Sequence, residues 1–282
     1  MGIQTGKVEK KTPRKLLHAE NAFSGVGIGA LALLTGFISL PILSLLIWTI
    51  DKGSWRAMTS PVALEALLLS ARTTAITMTI LLAVGTPAAY LLSRAEFRGK
   101  RLLDTLIDIP AVLPPSAAGI ALLLAFGKMG LLGEHLEAFG IQISLTTAAV
   151  VVAQLFVASH FYVRQASVGF GQVDREVEEA ALVDGARRDK VFTSITVPLA
   201  FPALVAGAVT AWARALGEFG ATIILAGNLQ GVTQTMPLAI YSAFEGDLDS
   251  AVALSVLVLG FSFVVILTAR LLTKKAQERS RG

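Results

Sequence analysis

Hydrophobic positions in this chain gather into six long runs, at about 23–50, 63–93, 102–126, 145–168, 199–226 and 250–272, with shorter polar stretches between them. Each run reaches the ~20 residues that an α-helix needs to cross ~30 Å of hydrocarbon. The pattern predicts an all-α chain with six membrane-spanning helices. It divides the chain into a tail over 1–22, a spanning domain over 23–272 and a second tail over 273–282. The second run is longer than a crossing requires, so its helix tilts or projects beyond the bilayer. About twenty mostly polar residues precede the first run, which is itself too long for a signal-peptide core, so no cleaved signal is expected.

Composition narrows the class. Hydrophobic residues make up 54% of the chain and charged residues 16%, against about 25% charged in an ordinary soluble domain. That balance excludes a soluble globular enzyme and a disordered tail. With no cysteine, disulfides, thiolate metal sites and cysteine nucleophiles are excluded. Only three histidines occur, none in an HExxH spacing, which argues against a histidine-built zinc site.

The basic residues are unevenly placed. The N-terminal tail holds Lys7, Lys10, Lys11, Arg14 and Lys15, and the 94–101 loop holds Arg94, Arg98, Lys100 and Arg101. The 164–198 region holds Arg164, Arg175, Arg187, Arg188 and Lys190, and the C-terminal end holds Arg270, Lys274, Lys275, Arg279 and Arg281. The alternate loops contain only Lys52, Arg56 and Lys128. Lysine and arginine accumulate on the cytoplasmic side of membrane proteins, which predicts that both termini lie in the cytoplasm of a multi-pass cell (inner) membrane protein.

On the outer side, 127–144 mixes glycines with a short amphipathic stretch. In 227–249, Pro237 precedes residues that suit a short helix. The inner loop 169–198 is the most polar part of the chain. Within it Val177, Ala180 and Ala181 fall at helical spacing, flanked by Glu176 and Glu179. Asp184-Gly185 reads as a helix stop, since glycine takes the left-handed conformation that side chains resist. A second short helical stretch over Val191–Val197 is expected before Pro198 opens the fifth span. Periodicity alone leaves two readings: a helix that docks into a groove on a cytosolic protein, or a solvated loop joining two spans.

The spacing of particular residues goes further. Glu179-Ala180-Ala181, three residues, Gly185, nine residues, Ile195, one residue, then Val197-Pro198 resembles the EAA signature of ABC-importer permeases, EAA-x3-G-x9-I-x-L-P, with Val197 in place of leucine. The resemblance implies a type I permease fold in which Glu179, Ala180, Ala181, Gly185, Ile195 and Pro198 couple this chain to a dimer of separate ATPase subunits. No GxxxxGK[ST] occurs, so the chain lacks a phosphate-cradling loop of its own. The expectation is a transport subunit, not an enzyme, that binds no cofactor itself, with ATP and magnesium on the partner and no contact with nucleic acid.

A second resemblance concerns the solute. The stretch from Ala211 to Thr222, then Ala226-Gly227-Asn228, Gly231, Thr233-Gln234-Thr235, Pro237 and Tyr241, is similar to the molybdate branch of these importers. Ile109 to Ile120 fits the same pattern. Sulfate and thiosulfate permeases look similar but tend toward GEYGS and diverge after the AGN triplet. The resemblance implies molybdate, or tungstate, delivered by a periplasmic or extracellular oxyanion-binding protein to the outer loops, and a second copy of the permease as a homodimer in the lipid. A sulfate permease would normally pair with a different permease chain. A secondary carrier using Arg214 and Glu218 as an ion relay would call for inverted repeats, and no clear repeat is found. An intramembrane hydrolase would need a nucleophile–base pair that His18, His135 and His160 supply poorly.

Several pathway candidates lie inside the runs. Ionisable groups within spans are costly unless paired or wetted, which singles out Arg72, Arg214 and Glu218. Arg214 and Glu218 are four apart and share a helix face. Either they form an intrahelical pair that only stabilises the fifth span, or Arg214 faces a two-fold axis and attracts the anion. Arg72 either lines the pathway or snorkels outward. Pro110, Pro114 and Pro115 interrupt the third span, and a half-helix starting near Ser116 would offer unpaired N–H groups to an oxyanion. A simple packing kink is the competing reading. Gly25, Gly29 and Gly207 are expected to permit close helix packing.

Overall fold

The computed structural model describes residues 14–279, with side chains from 26 to 271; the tail over 1–13 and residues 280–282 lie outside the described residues. Thirteen α-helices are present among them: α1 (Arg14–Lys52), α2 (Trp55–Met58), α3 (Pro61–Arg94), α4 (Lys100–Val112), α5 (Pro115–Phe126), α6 (Gly133–Ala138), α7 (Thr147–Gly171), α8 (Arg175–Val183), α9 (Arg188–Val191), α10 (Val197–Leu216), α11 (Gly220–Ala226), α12 (Met236–Gly246) and α13 (Leu248–Arg279). A π-turn, Phe192–Thr196, joins α9 to α10. Five helical stretches are long and apolar enough to cross a membrane, and the bent pair α4–α5 makes a sixth if counted as one span.

Helix directions follow from side-chain bonds that advance in step. Thr77 donates to Gln154 at 2.9 Å, Thr86 meets Tyr162 at 2.6 Å, Ser167 donates to the Ala89 carbonyl at 3.2 Å, and Arg94 donates to the Val173 carbonyl at 2.8 Å. α3 and α7 are therefore parallel, and the chain between them must recross the layer, which α4 and α5 accomplish. α10 runs back against α7: a Cβ on Gly207 would lie 2.9 Å from that of Gln165. Trp48 near the end of α1 donates to Asp249 near the start of α13 at 2.8 Å, so these two are antiparallel. The start of α1 and the end of α13 thus fall on the face that carries α8.

The core is built from small residues. Ala89, Ala158, Ala166, Ala200, Ala211 and Ala215 are buried around Tyr162 and Phe170. Within lipid no hydrophobic drive brings helices together, so close backbone approach through alanine and glycine supplies the packing energy. Gly207 serves that role as expected, whereas Gly29 has nothing within 4 Å of where its Cβ would be. The surroundings of Gly25 lie outside the described residues. The most apolar stretch of α1 has no buried residue at all.

Four expectations are corrected. Pro110 does not interrupt the third run, whose break falls where Pro114 and Pro115 were expected to make one: α4 and α5 turn through 119° at Leu113-Pro114. Two consecutive prolines cause it, since Leu113 must take the extended conformation (ψ 131°) that a following proline imposes. Pro110, by contrast, sits inside α4. The fifth run also breaks, at Gly217–Phe219, between α10 and α11. Pro198 does not open the fifth span, because helix continues from Arg188 through it. The π-turn accommodates the proline by bonding the Val197 N–H to the Phe192 carbonyl, five residues back. Finally, Arg164, counted with the inner-side charges and not among the groups within spans, lies inside α7. It clamps α4 there, with Nε 2.6 Å from Asp108 and Nη1 3.0 Å from Asp104. His160 adds a contact to Asp108 at 3.1 Å.

Outside the spans, α6 falls within 127–144 and α12 within 227–249, the stretches that suited short helices. Asp247 caps α13: the Ser250 hydroxyl and the backbone N–H groups of Asp249 and Ser250 hold its carboxyl below the usual carboxylate range.

Candidate functional sites: a docking helix and two touching breaks

α8 forms where the inner loop was expected to be helical. Asp174 caps its start by accepting from the Glu176 N–H at 3.0 Å, and Glu176 and Glu178 in the first turn favour the positive helix end. At the other end Gly185 takes φ +87°, and the Ala186 N–H bonds back to the Ala181 carbonyl at 3.0 Å. Glycine is the residue that reaches this conformation without strain.

One face of α8 is open. Glu176, Glu179 and Ala180 are exposed, and Val183 on the same face is 87% exposed. These positions are spaced i, i+3, i+4 and i+7, so they form one stripe. Val177 and Leu182 are exposed on the same short helix, so α8 carries three uncovered aliphatic side chains. Ala181 is half-buried. Ile195 and Pro198 stand apart from this face: Ile195 is half-buried in the π-turn and Pro198 exposed at the root of α10.

The opposite flank of α8 carries a residue that motif spacing missed. Glu178, not Glu179, turns inward: its Oε1 accepts from Thr196 Oγ1 at 2.5 Å and its Oε2 lies 3.1 Å from Arg94 Nη2. No local signal could have shown this, because Arg94 and Glu178 are far apart in sequence and Arg94 figures there only as one of the inner-side positive charges.

The pathway candidates fall in two places. The breaks in the third and fifth spans touch: a Cβ on Gly220 would lie 2.6 Å from Pro115 Cβ, and one on Gly119 would lie 3.0 Å from Ala221 Cα. Pro115 and Ser116 lie against Gly220 at the start of α11, and Pro114, Pro115 and Ser116 are all exposed. Immediately before this junction, Arg214 Nη1 meets Glu218 Oε2 at 2.7 Å. Glu218 also caps α11, its Oε1 accepting from the Ala221 N–H at 2.8 Å. The Glu218 side chain is wholly buried, whereas that of Arg214 is 28% exposed. Glu218 is thus a structural anchor of the break, and the partly open guanidinium is the member of the pair able to meet a solute. Arg72 belongs elsewhere: it is exposed on α3 beside Leu68 and Ile76, and among the described residues no hydrogen bond or ion pair joins it to the Arg214–Glu218 pair.

The chain thus joins two spans broken at one junction to a short polar helix with no buried residue. Residues 82–278 match the family described as binding-protein-dependent transport system inner membrane component, and the chain belongs to it. It is 43% identical over 231 residues to the molybdenum transport system permease protein ModB of Mycobacterium bovis, covering 82% of this chain and 88% of that one. To ModB of Escherichia coli (strain K12) it is 36% identical over 219 residues, 77% of this chain and 96% of the relative. A probable sulfate transport system permease protein, cysT of Chlorokybus atmophyticus, is 32% identical over 231 residues, 80% and 81% of the two chains. Among solved structures, a chain of a bacterial ABC transporter that imports the acidic polysaccharide alginate superposes with a TM-score of 0.73 at 14% identity, covering 93% of this chain and 98% of that one. That likeness bears on the fold.

Proposed function

We propose that this chain is the transmembrane subunit of an ATP-driven importer for a tetrahedral oxyanion, with molybdate or tungstate as the solute. The observation that carries the reading is the bare Glu179–Ala180–Val183 face of α8, held out from the spans while Glu178 anchors the opposite flank. A separate ATPase subunit, present as a pair, seats this face in a cleft. The chain itself binds neither ATP nor another cofactor and catalyses no covalent step. α8 and both termini lie in the cytoplasm, in keeping with the basic residues gathered on that side.

A binding protein releases the anion to the outer segments around α6 and the start of α12. A second copy of the chain completes the pathway and covers apolar surface such as that of α1, which a lone chain leaves bare. Closure of the ATPase pair moves α8 and switches the pathway from inward- to outward-facing, a two-state change biased by nucleotide on one side and loaded carrier on the other. Affinity for the free anion is weak, since a tightly held ion would not leave.

Molybdate is favoured over sulfate because the molybdenum permeases are more similar to this chain than the sulfate permease is, and because 211–241 follows the molybdate pattern. The test is uptake into vesicles reconstituted with this chain, its ATPase and its binding protein, competing molybdate, tungstate and sulfate with and without ATP. ATP-dependent molybdate uptake, displaced by tungstate and poorly by sulfate, is expected. Uptake without the ATPase overturns the importer reading, and stronger displacement by sulfate overturns the choice of solute.

A further inference from the structure

We propose that Glu178 is the positioning residue through which movement of α8 reaches the spans, and that it delivers this movement to the end of α3 and the root of α10 together. The inference rests on the importer reading above and adds a residue outside the docking face.

None of the nine residues of α8 is buried, so apolar packing holds this helix only loosely. Glu178 supplies the missing attachment. Its side chain is 12% exposed and that of Arg94 is 13% exposed. The pair is therefore largely withdrawn from water, where charge-assisted hydrogen bonds hold their geometry firmly. One carboxylate oxygen takes Arg94, the last residue of α3, whose Nη2 also donates to the Val173 carbonyl at 2.8 Å. The other oxygen takes the hydroxyl of Thr196.

Thr196 is fully buried and closes the π-turn at the root of α10. A π-turn carries one residue more than an α-turn and packs less tightly, so it is a place where a helix yields locally. Behind it Phe192 stacks edge-on against Tyr90 of α3, with ring centroids 4.9 Å apart, and lies near Phe170 of α7. A push on α8 thus meets a stiff two-pronged link at Glu178, an aromatic bearing behind it and a compliant turn beyond. α7 meets this link at its C-terminal end, through Phe170 near Phe192 and through the Val173 carbonyl just beyond it, which Arg94 holds.

The test uses the complete importer in vesicles and reads three quantities: retention of the ATPase subunit, ATP hydrolysis stimulated by loaded binding protein, and molybdate taken up per ATP. Glu178→Gln keeps the ATPase subunit bound, while uptake per ATP falls by roughly tenfold, the effect of losing one charge-assisted contact. Exchanging the partners, Arg94→Glu with Glu178→Arg, restores part of that loss, whereas Arg94→Glu alone does not. Should Glu178→Gln fail to insert, Thr196→Val, which removes one hydroxyl from the same link, carries the test and lowers uptake per ATP in the same direction. Unchanged uptake per ATP in an inserted variant overturns the proposal. So does loss of the ATPase subunit from Glu178→Gln, since that would make Glu178 a docking residue. Failure of the unaltered chain to retain the ATPase would instead refute the importer reading itself.

Discussion

Gly220 and Pro115 are in contact at the point where two broken spans meet, with only 2.6 Å between the proline Cβ and the position a Cβ would take on the glycine. The approach is possible because residue 220 has no side chain. Gly220→Ala should therefore separate α5 from α11, and Gly220→Val should do so more strongly, at about 1–3 kcal/mol for overpacking of a tight contact. Thermal unfolding of the detergent-solubilised protein checks this: both variants should unfold at lower temperature than the unaltered chain, in that order. An unchanged transition for Gly220→Val would mean that the two breaks do not touch.

The Arg214–Glu218 pair can be divided into its structural and transport roles by charge-neutral substitutions. Removing Arg214 leaves the wholly buried Glu218 carboxylate uncompensated, which typically costs about 3–5 kcal/mol, whereas removing Glu218 leaves a partly exposed guanidinium and costs less. Glu218→Gln and Arg214→Gln are therefore each expected to lower stability, the first also weakening the cap on the Ala221 N–H. The double variant, an uncharged amide pair, should recover most of the stability. Its molybdate uptake should nevertheless stay well below that of the unaltered chain, because the partly exposed cation is gone. Full uptake by a stable double variant would leave Arg214 with a packing role alone.

These two sites differ in how far the chain sequence discloses them. Long apolar runs mark the crossings because a hydropathy average over some twenty residues is a bulk property, and α3, α7 and α13 lie close to the runs that predicted them. α8 and its Gly185 stop were equally legible, since helical spacing and a glycine at φ +87° are local events. The two breaks were unequally legible: Pro114-Pro115 announced the first, with a new half-helix near Ser116, though not how sharply it turns, and nothing announced the second. Averaging hides a bend of 119° made by two residues, and Pro110 looks as disruptive as Pro114 although it stays within a helix. Gly217–Phe219 reads as continuous helix because Arg214 and Glu218 have the spacing of an intrahelical pair. Only the tertiary packing of α11 on α5 shows that Glu218 is capping a new helix. Glu178 was obscured for a related reason: its partners Arg94 and Thr196 come from other elements, and the neighbouring Glu179 completes the motif.

Absence of cysteine makes the topology directly measurable. Ala186 is exposed beside α8, and Arg56 is exposed within α2 on the opposite face. Ala186→Cys in intact cells should resist a membrane-impermeant maleimide and react only after permeabilisation, whereas Arg56→Cys should react at once. The reverse pattern would place α8 outside and remove any role for a cytosolic motor.

The docking face makes the sharpest demand on the fold. Gly185 holds φ +87° while its N–H bonds to the Leu182 carbonyl at 3.1 Å. Proline offers neither that conformation nor that donor, its φ being fixed near −65°. Gly185→Pro should thus unwind the end of α8 and displace Val183 and Ala180 from the exposed stripe. Glu179→Arg keeps the helix but reverses the charge at the centre of the same stripe. The two substitutions act by different physics, yet both should abolish co-purification of the ATPase subunit while the chain remains inserted, because no residue of α8 is buried and neither substitution touches the Glu178 link to the spans. Glu178→Gln, on the inward flank, should retain the subunit, and that contrast separates the surface that receives the motor from the side chain that passes its movement on. Normal co-purification of both Gly185→Pro and Glu179→Arg would remove α8 as the docking element.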